Sequence, residues 1–377
     1  MQTLKTLSLV LYVTLAVSVA MFAAESEPSS QTQAPAAASP TPAPEKKPEI
    51  SVKAYLGYQD GFSATTPRVF DLYRGYIGLS YRISPKVFFS ATLDTAARRD
   101  EQGFFEVVLK HMFLDYTFRQ NHQLQFGQSN VSWVPYMEDL VGDRFIQRSF
   151  TESEGYEKST DMGFVVKGSL LNNALRYHAS FINGNGWNRV ESNRGKDIQA
   201  RLTLFPLLGA KDWRKGVFTS IGGTQKFFDA RELRGGESVY GYRLHALAGY
   251  QAKSVAAGFE VLATRDPASK LVGAHPSAQG LSDTFGLGYS VFTNFRPRAF
   301  IADAPEKFGV LIRADWHDPT RGLVQDDAHT RITVGPYWVF NPNLQLWGGY
   351  VGVHYQGFAR EKLSNQNFLA VFAEVKF

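Results

Sequence analysis

Short segments in which apolar and polar residues alternate follow one another from Ile50 to the end of the chain. We count about sixteen of them, each roughly 9–14 residues long and separated from the next by Gly, Pro, Asn and Asp residues. In residues 70–83, Ile77 and Leu79 fall on one face of the segment and Arg74 falls on the other. Such alternation is typical of β-strands that have one apolar and one polar face. The pattern therefore predicts an all-β structure of about sixteen strands.

The connections between these segments alternate in length along the chain. Ser84-Pro85 and Pro342-Asn343 are tight turns, whereas residues 132–160 form a long connection. Tight turns at one rim and long loops at the other are typical of antiparallel up-and-down β-barrels that cross the bacterial outer membrane. A soluble β-sandwich would show the same alternation within its strands, but the even strand count and the loop lengths favour the transmembrane barrel. The connections formed by residues 206–215 and 298–307 should be tight turns in this pattern but are longer.

The amino terminus has the pattern of a secretory signal peptide. A basic residue precedes an apolar run that ends at Ala20, and small residues continue to Ala24. We therefore predict a signal peptide over residues 1–24, cleaved after Ala20 or Ala24. Residues 25–49 are rich in Pro, Ala and Ser and are predicted to be a disordered periplasmic linker, which leaves residues 50–377 for the barrel. The chain contains no Cys, which excludes disulfides and a lipid anchor on an amino-terminal Cys.

The connection of residues 132–160 carries aromatic, acidic and arginine side chains together. A loop of this length is usually functional, and in a closed barrel it can fold inward and narrow the lumen. We therefore predict an inward-folding third loop whose Arg144 and Arg148 lie at the constriction, because a guanidinium group can hold an oxyanion through two hydrogen bonds. Glu138 and Asp143 are predicted to pair with these arginines and to fix the loop against the wall.

Arginine also predominates among the charged side chains that strand parity places on the polar, inward face. The predicted wall residues of the pore are Arg74, Arg201, Arg313 and Arg331. Rings of Arg in a pore favour the passage of anions, and a narrow channel concentrates the field of its wall charges. The net charge of +5 is small, so the inward-facing residues carry the prediction, which is a modest anion preference that salt weakens. Each arginine could instead belong to an ion pair that stiffens the wall.

Three stretches of the chain resemble known proteins. The carboxyl-terminal residues NQNFLAVFAEVKF end on Phe377 and resemble the terminal strand that the barrel-assembly machinery binds in outer-membrane proteins. Residues 331–346, RITVGPYWVFNPNLQL, resemble a strand, turn and strand of the phosphate-selective porins O and P, and residues 126–163 are similar to the third loop of that family with its flanking strands. The resemblance implies a homotrimeric bacterial outer-membrane porin, surrounded by lipid. Small anionic or polar solutes, phosphate among them, would diffuse through it passively.

Other functions are also compatible with the sequence. His178 and Ser180 lie two residues apart on one strand face, as a nucleophilic pair would in a barrel enzyme that acts on lipid. A barrel with a closed lumen could instead serve as a binding or adhesion protein through its external loops. His317-Asp318 and the Asp326-Asp327 pair could hold a divalent cation, although such loop carboxylates are usually just solvated. No third orienting group is identifiable for the His–Ser pair, and no Gly-rich phosphate loop or metal-spaced His cluster appears in the sequence. We therefore predict no enzyme, metal, cofactor or nucleic-acid partner.

Overall fold

The computed structural model describes residues 47–62, 68–99, 103, 105–189, 191, 193–233, 235–268, 283–299, 301, 303–321, 327–357 and 365–377. The predicted signal peptide, most of the predicted linker and Asp326 lie outside the described residues. The barrel itself is described over all of its strands.

Sixteen strands form one closed antiparallel sheet, which confirms the predicted fold class. Each strand pairs with its neighbours along the chain, and the first strand pairs with the last. In order, the strands are β1 Glu49–Gly61, β2 Val69–Arg82, β3 Val87–Arg99, β4 Phe105–Arg119, β5 His122–Asn130, β6 Thr160–Leu170, β7 Leu175–Ile182, β8 Lys196–Leu204, β9 Val217–Phe227, β10 Tyr240–Ala252, β11 Val255–Pro267, β12 Asp283–Phe295, β13 Phe308–Asp318, β14 His329–Asn341, β15 Leu344–Tyr355 and β16 Gln366–Lys376.

The two ends of the barrel domain meet where β1 and β16 close the sheet. Lys53 pairs with Lys376, and Gly61 pairs with Phe368 at the other end of the same ladder. The Phe377 amide donates to the Val52 carbonyl at 2.9 Å, which continues the ladder to the last residue. Closure leaves neither strand with a free edge, so the backbone groups along it are satisfied within the sheet.

Two connections that are longer than the sequence pattern predicts add no strands among the described residues. The β8–β9 connection ends in a 3-10 helix, Trp213–Gly216, in which the Asp212 side chain accepts from the Arg214 amide. The β12–β13 connection contains the 3-10 helix Pro297–Ala299. Both connections therefore remain turns, and the even strand count is retained. A further 3-10 helix, Ala230–Glu232, lies between β9 and β10.

Burial along the strands is opposite to that of a soluble sandwich. On the outer face Val107, Ile221 and Val291 are 60%, 59% and 54% exposed, whereas the inward-facing carboxylates of Asp94 and Glu260 are 0% exposed. A soluble protein would bury the apolar face and expose the charged one. An apolar outer belt around a polar interior is the arrangement that a lipid bilayer requires.

Two α-helices lie in the third loop, residues 131–159, which connects β5 to β6. They are α1 Val134–Val141 and α2 Phe150–Ser153. Val134 and Phe150 are buried, and residues of the loop contact inward-facing side chains of strands from β8 to β14. The loop is therefore inside the lumen, as the sequence predicted. Among the described residues, no helix has the length and hydropathy that a bilayer crossing needs.

Candidate functional site

The third loop turns inward through a short helix with recognisable ends. Pro135 lies in the first turn of α1, where a missing amide hydrogen costs nothing. Gly142 ends the helix at φ 73°, and its amide donates to the Glu138 carbonyl at 2.9 Å. This left-handed position favours glycine. The result is a compact helical turn whose Met137, Leu140 and Val141 face one side.

That apolar side packs against the interior of the barrel. Met137, Leu140 and Val141 belong to one buried cluster with side chains of β9 to β16. The main wall members of this cluster are Phe218, Leu247, Phe292, Leu311, Trp347 and Phe372. Burying each large apolar side chain contributes roughly 1.5–3 kcal/mol. Packing therefore stabilises the loop inside the lumen.

Trp133 anchors the start of the loop against β9, β10 and β11. A side chain at Gly222 would lie 2.7 Å from the indole ring, so glycine there makes room for it. The indole stacks on His245 with ring centres 4.4 Å apart. Its Nε1–H donates to the Glu260 carboxylate at 2.8 Å. Glu157, at the end of the loop, accepts from the Thr224 hydroxyl.

Two wall arginines hold the middle and the start of the loop. Arg313 contacts the loop carboxylate of Asp143 and the strand carboxylate of Asp315, each at 2.9 Å. Burial raises the pKa of Asp143, and the adjacent guanidinium group opposes that rise. Arg201 donates to the Ser132 carbonyl at 2.8 Å. Both guanidinium groups therefore hold the loop in place.

The end of the loop is held by a cluster around Glu154. The carboxylate contacts Arg331 at 3.2 Å through one oxygen, and His329 at 2.9 Å and His317 at 3.3 Å through the other. These contacts outweigh burial and hold the pKa of Glu154 well below its usual range. The carboxylate is therefore ionised at neutral pH, and it connects the loop to β13 and β14.

The opposite side of the loop borders two cavities. One, of about 150 Å³, is lined by Tyr55, Tyr73, Arg74 and loop residues that include Arg144 and Arg148. The other, of about 210 Å³, lies beside β15 and β16 and shares Ile146 and Gln147 with the first. Free space therefore lies between the loop and the wall formed by β1, β2, β15 and β16.

The first cavity contains three guanidinium groups with different partners. Arg74 pairs with Asp94 at 2.9 Å. Arg144 contacts Glu138 at 2.7 Å and Glu152 at 3.5 Å. In the part of the chain that the structure describes, no carboxylate lies within ion-pair distance of the Arg148 guanidinium.

The pKa values of Arg148 and Glu138 are shifted by burial and by the neighbouring charges. Burial lowers the pKa of Arg148, and the nearby Arg74 and Arg144 cations lower it further, although Glu152 acts in the opposite direction. Burial raises the pKa of Glu138 to about 7, while Arg144 lowers it. The cavity is therefore lined by one cation that has no ion-pair partner among the described residues, and its neighbour Arg144 contacts a carboxyl group whose pKa is about 7.

Comparison with known proteins shows a likeness of structure rather than of sequence. No protein-family profile and no curated protein sequence matches the chain. Salmonella typhi OmpF, in complex with daunomycin, superposes with a TM-score of 0.61 at 11% identity over 88% of this chain and 98% of that one. An anion-selective porin from Comamonas acidovorans gives 0.59 at 10% identity, over 88% and 100% of the chains. The trimer form of OmpT, an outer membrane protein of Vibrio cholerae, gives 0.60 at 10% identity, over 88% and 99%.

The chain has the fold of the bacterial outer-membrane porins. At this identity the likeness concerns the fold, so membership of the phosphate-selective family stays a prediction. The apolar outer belt and the polar interior agree with the porin fold and with the predicted location in the bacterial outer membrane.

Within this porin fold, the predicted site residues divide into two groups. Arg74, Arg144 and Arg148 line the first cavity, and Glu138 contacts Arg144. Arg201, Arg313 and Arg331 lie on the side where the loop is docked and contact Ser132, Asp143 and Glu154 of the loop. Asp143, predicted as a partner of the loop arginines, pairs with the wall instead.

Sequence reasoning missed several loop contacts of this porin-fold barrel. Trp133, His245 and Glu260 form one buried group, yet 127 residues separate the indole from its carboxylate acceptor. Strand parity could place the last two inside the barrel but could not show what they contact. His178 and Ser180 are both buried in the wall, and no hydrogen bond joins them among the described residues.

Proposed function

We propose that this protein is a porin through which small hydrophilic solutes diffuse passively across the outer membrane, with a preference for anions and with phosphate among the candidate solutes. The observation that carries the proposal is the Arg148 guanidinium, which borders a cavity beside Arg144 and Arg74 without an ion-pair partner among the described residues. The proposal contains no reaction, metal or cofactor.

The position of Arg148 supports the anion preference. Asp94 contacts Arg74, and two carboxylates, Glu138 and Glu152, contact Arg144, whereas in the described part of the chain no carboxylate lies within ion-pair distance of the Arg148 guanidinium. A guanidinium group presents two parallel N–H donors to an oxyanion. The loop carboxylates each have a partner: Glu138 and Glu152 contact Arg144, and Glu154 and Glu157 contact cationic or hydroxyl groups on the wall.

The proposal also covers the amino-terminal segments, the membrane and the oligomeric state. A signal peptide of residues 1–24 would direct export, residues 25–49 would form a periplasmic linker, and the long loops would face outward. The strand that ends at Phe377 would be bound by the barrel-assembly machinery, and the apolar belt would contact outer-membrane lipid. A homotrimer is favoured by the resemblance to the phosphate-selective porins and by the trimer form of OmpT.

Reversal potentials in a KCl gradient across a planar bilayer test the anion preference. We expect the unmodified protein to favour Cl⁻ and the variant R148Q to lose most of that preference. R214Q is the matched control, since Arg214 is an exposed arginine in the β8–β9 connection, paired with Asp212. Cation preference in the unmodified protein would mean that loop carboxylates dominate the passage, and the proposal would fail.

A closed barrel that acts as a binding protein is a second candidate. The observation that favours it is the apolar cluster in the lumen, in which Phe218, Phe292, Trp347 and Phe372 are buried together with α1 of the third loop. Apolar side chains that fill a lumen exclude water and ions. Swelling of liposomes in sugar solutions separates the two functions, because a closed barrel admits no sugar.

A further inference from the structure

Two histidines and one carboxylate converge at the end of the third loop. Glu154 Oε2 lies 3.3 Å from His317 Nδ1 and 2.9 Å from His329 Nε2. The three potential ligand atoms all lie within 4.8 Å of one another. They come from a loop and two adjacent strands, and the fold alone brings them together.

One member of this cluster, His317, is not satisfied by hydrogen bonds. His317 is 3% exposed, and neither of its ring nitrogens has a hydrogen-bond partner in the described structure. Its contact with Glu154 is close but poorly aligned for a hydrogen bond. Buried polar atoms normally have partners, so the ring nitrogens of this buried imidazole, one of them directed at a carboxylate, are available to bind a ligand.

We propose that Glu154, His317 and His329 form a binding site for a divalent transition-metal cation of the Zn²⁺ class. Neighbouring ligand atoms around a tetrahedral Zn²⁺ lie roughly 3.3 Å apart. The two distances from Glu154 Oε2 are already close to this value. A metal therefore needs mainly a closer approach of the two imidazoles, with a fourth position left for water.

The groups around the cluster suit this assignment. Arg331 contacts the other carboxylate oxygen of Glu154, at 3.2 Å, and leaves Oε2 free for the metal. Phe150 and Tyr156 pack edge-on against the His317 ring, with centroids 6.1 and 5.3 Å away. Partners of this kind orient ligands and control access of water. The bound cation would join the third loop to β13 and β14 independently of any transported solute.

Binding of Zn²⁺ to the purified, tag-free protein in detergent tests the site. Equilibrium dialysis should give one Zn²⁺ per chain, and E154Q, H317Q and H329Q should each weaken binding at least tenfold. H354Q is the matched control, because His354 lies on the adjacent β15 and contacts Tyr350. A folded barrel migrates differently in SDS gel electrophoresis before and after heating, so this comparison identifies any variant whose barrel does not fold.

Two measurements on the unmodified protein test the site without relying on the variants. Bound Co²⁺ should show the intense visible absorption of a tetrahedral site, and Zn²⁺ should slow amide exchange in residues 150–156. Absence of saturable binding, equal weakening by H354Q, or loss of binding in D318N with no effect of the three ligand variants would each overturn the proposal.

Discussion

Replacing Arg313 by Met should loosen the third loop, because two buried carboxylates share this one cation. The Arg313 side chain is 2% exposed and lies 2.9 Å from both Asp143 and Asp315. It also donates to the Arg148 carbonyl at 2.9 Å. Methionine keeps much of the side-chain volume and removes the charge. Asp315 would keep its hydrogen bond from the Ser290 hydroxyl, at 2.6 Å.

The size of the effect depends on where the two carboxylates lie. Removing one partner of a buried ion pair costs about 3–5 kcal/mol when the other charge stays in place. Asp315 belongs to β13 and cannot leave the interior, but Asp143 reaches water if the loop undocks. The free energy of local opening should therefore fall by up to that amount. This corresponds to a rise of roughly a hundred- to a few-thousand-fold in the population of the open loop.

Amide hydrogen exchange of residues 134–150 measures this opening in the detergent-solubilised protein. The double variant R313M/D143N is the matched control, because it also removes the loop carboxylate that lost its partner. We expect it to recover about 1–3 kcal/mol of the protection lost in R313M. The reasoning is refuted if R313M exchanges like the unmodified protein, or if the double variant recovers nothing.

Three other perturbations of the loop have defined outcomes. Deleting residues 137–147 should raise single-channel conductance by widening the lumen, and an unchanged conductance in a folded barrel would contradict the inward position of the loop. The W133F variant leaves the buried Glu260 without its indole donor, so the opening free energy measured by hydrogen exchange should fall by about 1–3 kcal/mol. The pKa of Glu138 is raised to about 7, so lowering the pH from about 8 to about 6 removes a negative charge beside Arg144 and should shift the reversal potential toward anions. The E138Q variant should abolish that shift, and a shift that persists would assign it to another group.

The strands could be predicted because period-two alternation is a local property of the sequence. In β2, Ile77 and Leu79 are exposed on the outer face and Arg74 faces inward, as parity predicted. A register shift in the β1–β2 ladder beside Tyr73 breaks the alternation, so Tyr73 lines the first cavity together with Arg74. The helix α1 was not predicted, although Pro135 and Gly142 mark its ends. Its apolar side chains are too few to show helical periodicity among the charged residues that surround them.

The contacts of the loop could not be predicted, because they depend on distances across the lumen. Parity places Arg313 inside the barrel, but its partner Asp143 is 170 residues away in sequence. The side of the lumen to which the loop folds decides which arginines bind the loop and which border free space. That side is fixed jointly by contacts of α1 with β12, such as the hydrogen bond from the Asn294 amide to the Val141 carbonyl at 2.7 Å, and by ion pairs such as that of Asp143 with Arg313.

The salt dependence of the anion preference shows whether the preference comes from the charge of Arg148 or from the shape of the pore. Charges in water are screened over about 10 Å at 0.1 M salt and about 3 Å at 1 M. Arg148 is exposed at the rim of a cavity of about 150 Å³, so at low salt its field covers the passage and at high salt only ions in contact with it are affected. The anion preference should therefore fall as KCl rises from about 0.1 to about 1 M. R148Q should start lower and change less over the same range. A preference that is equally strong at both salt concentrations would mean that shape, or binding in direct contact with the wall, selects the solute, and the assignment to the Arg148 charge would be wrong.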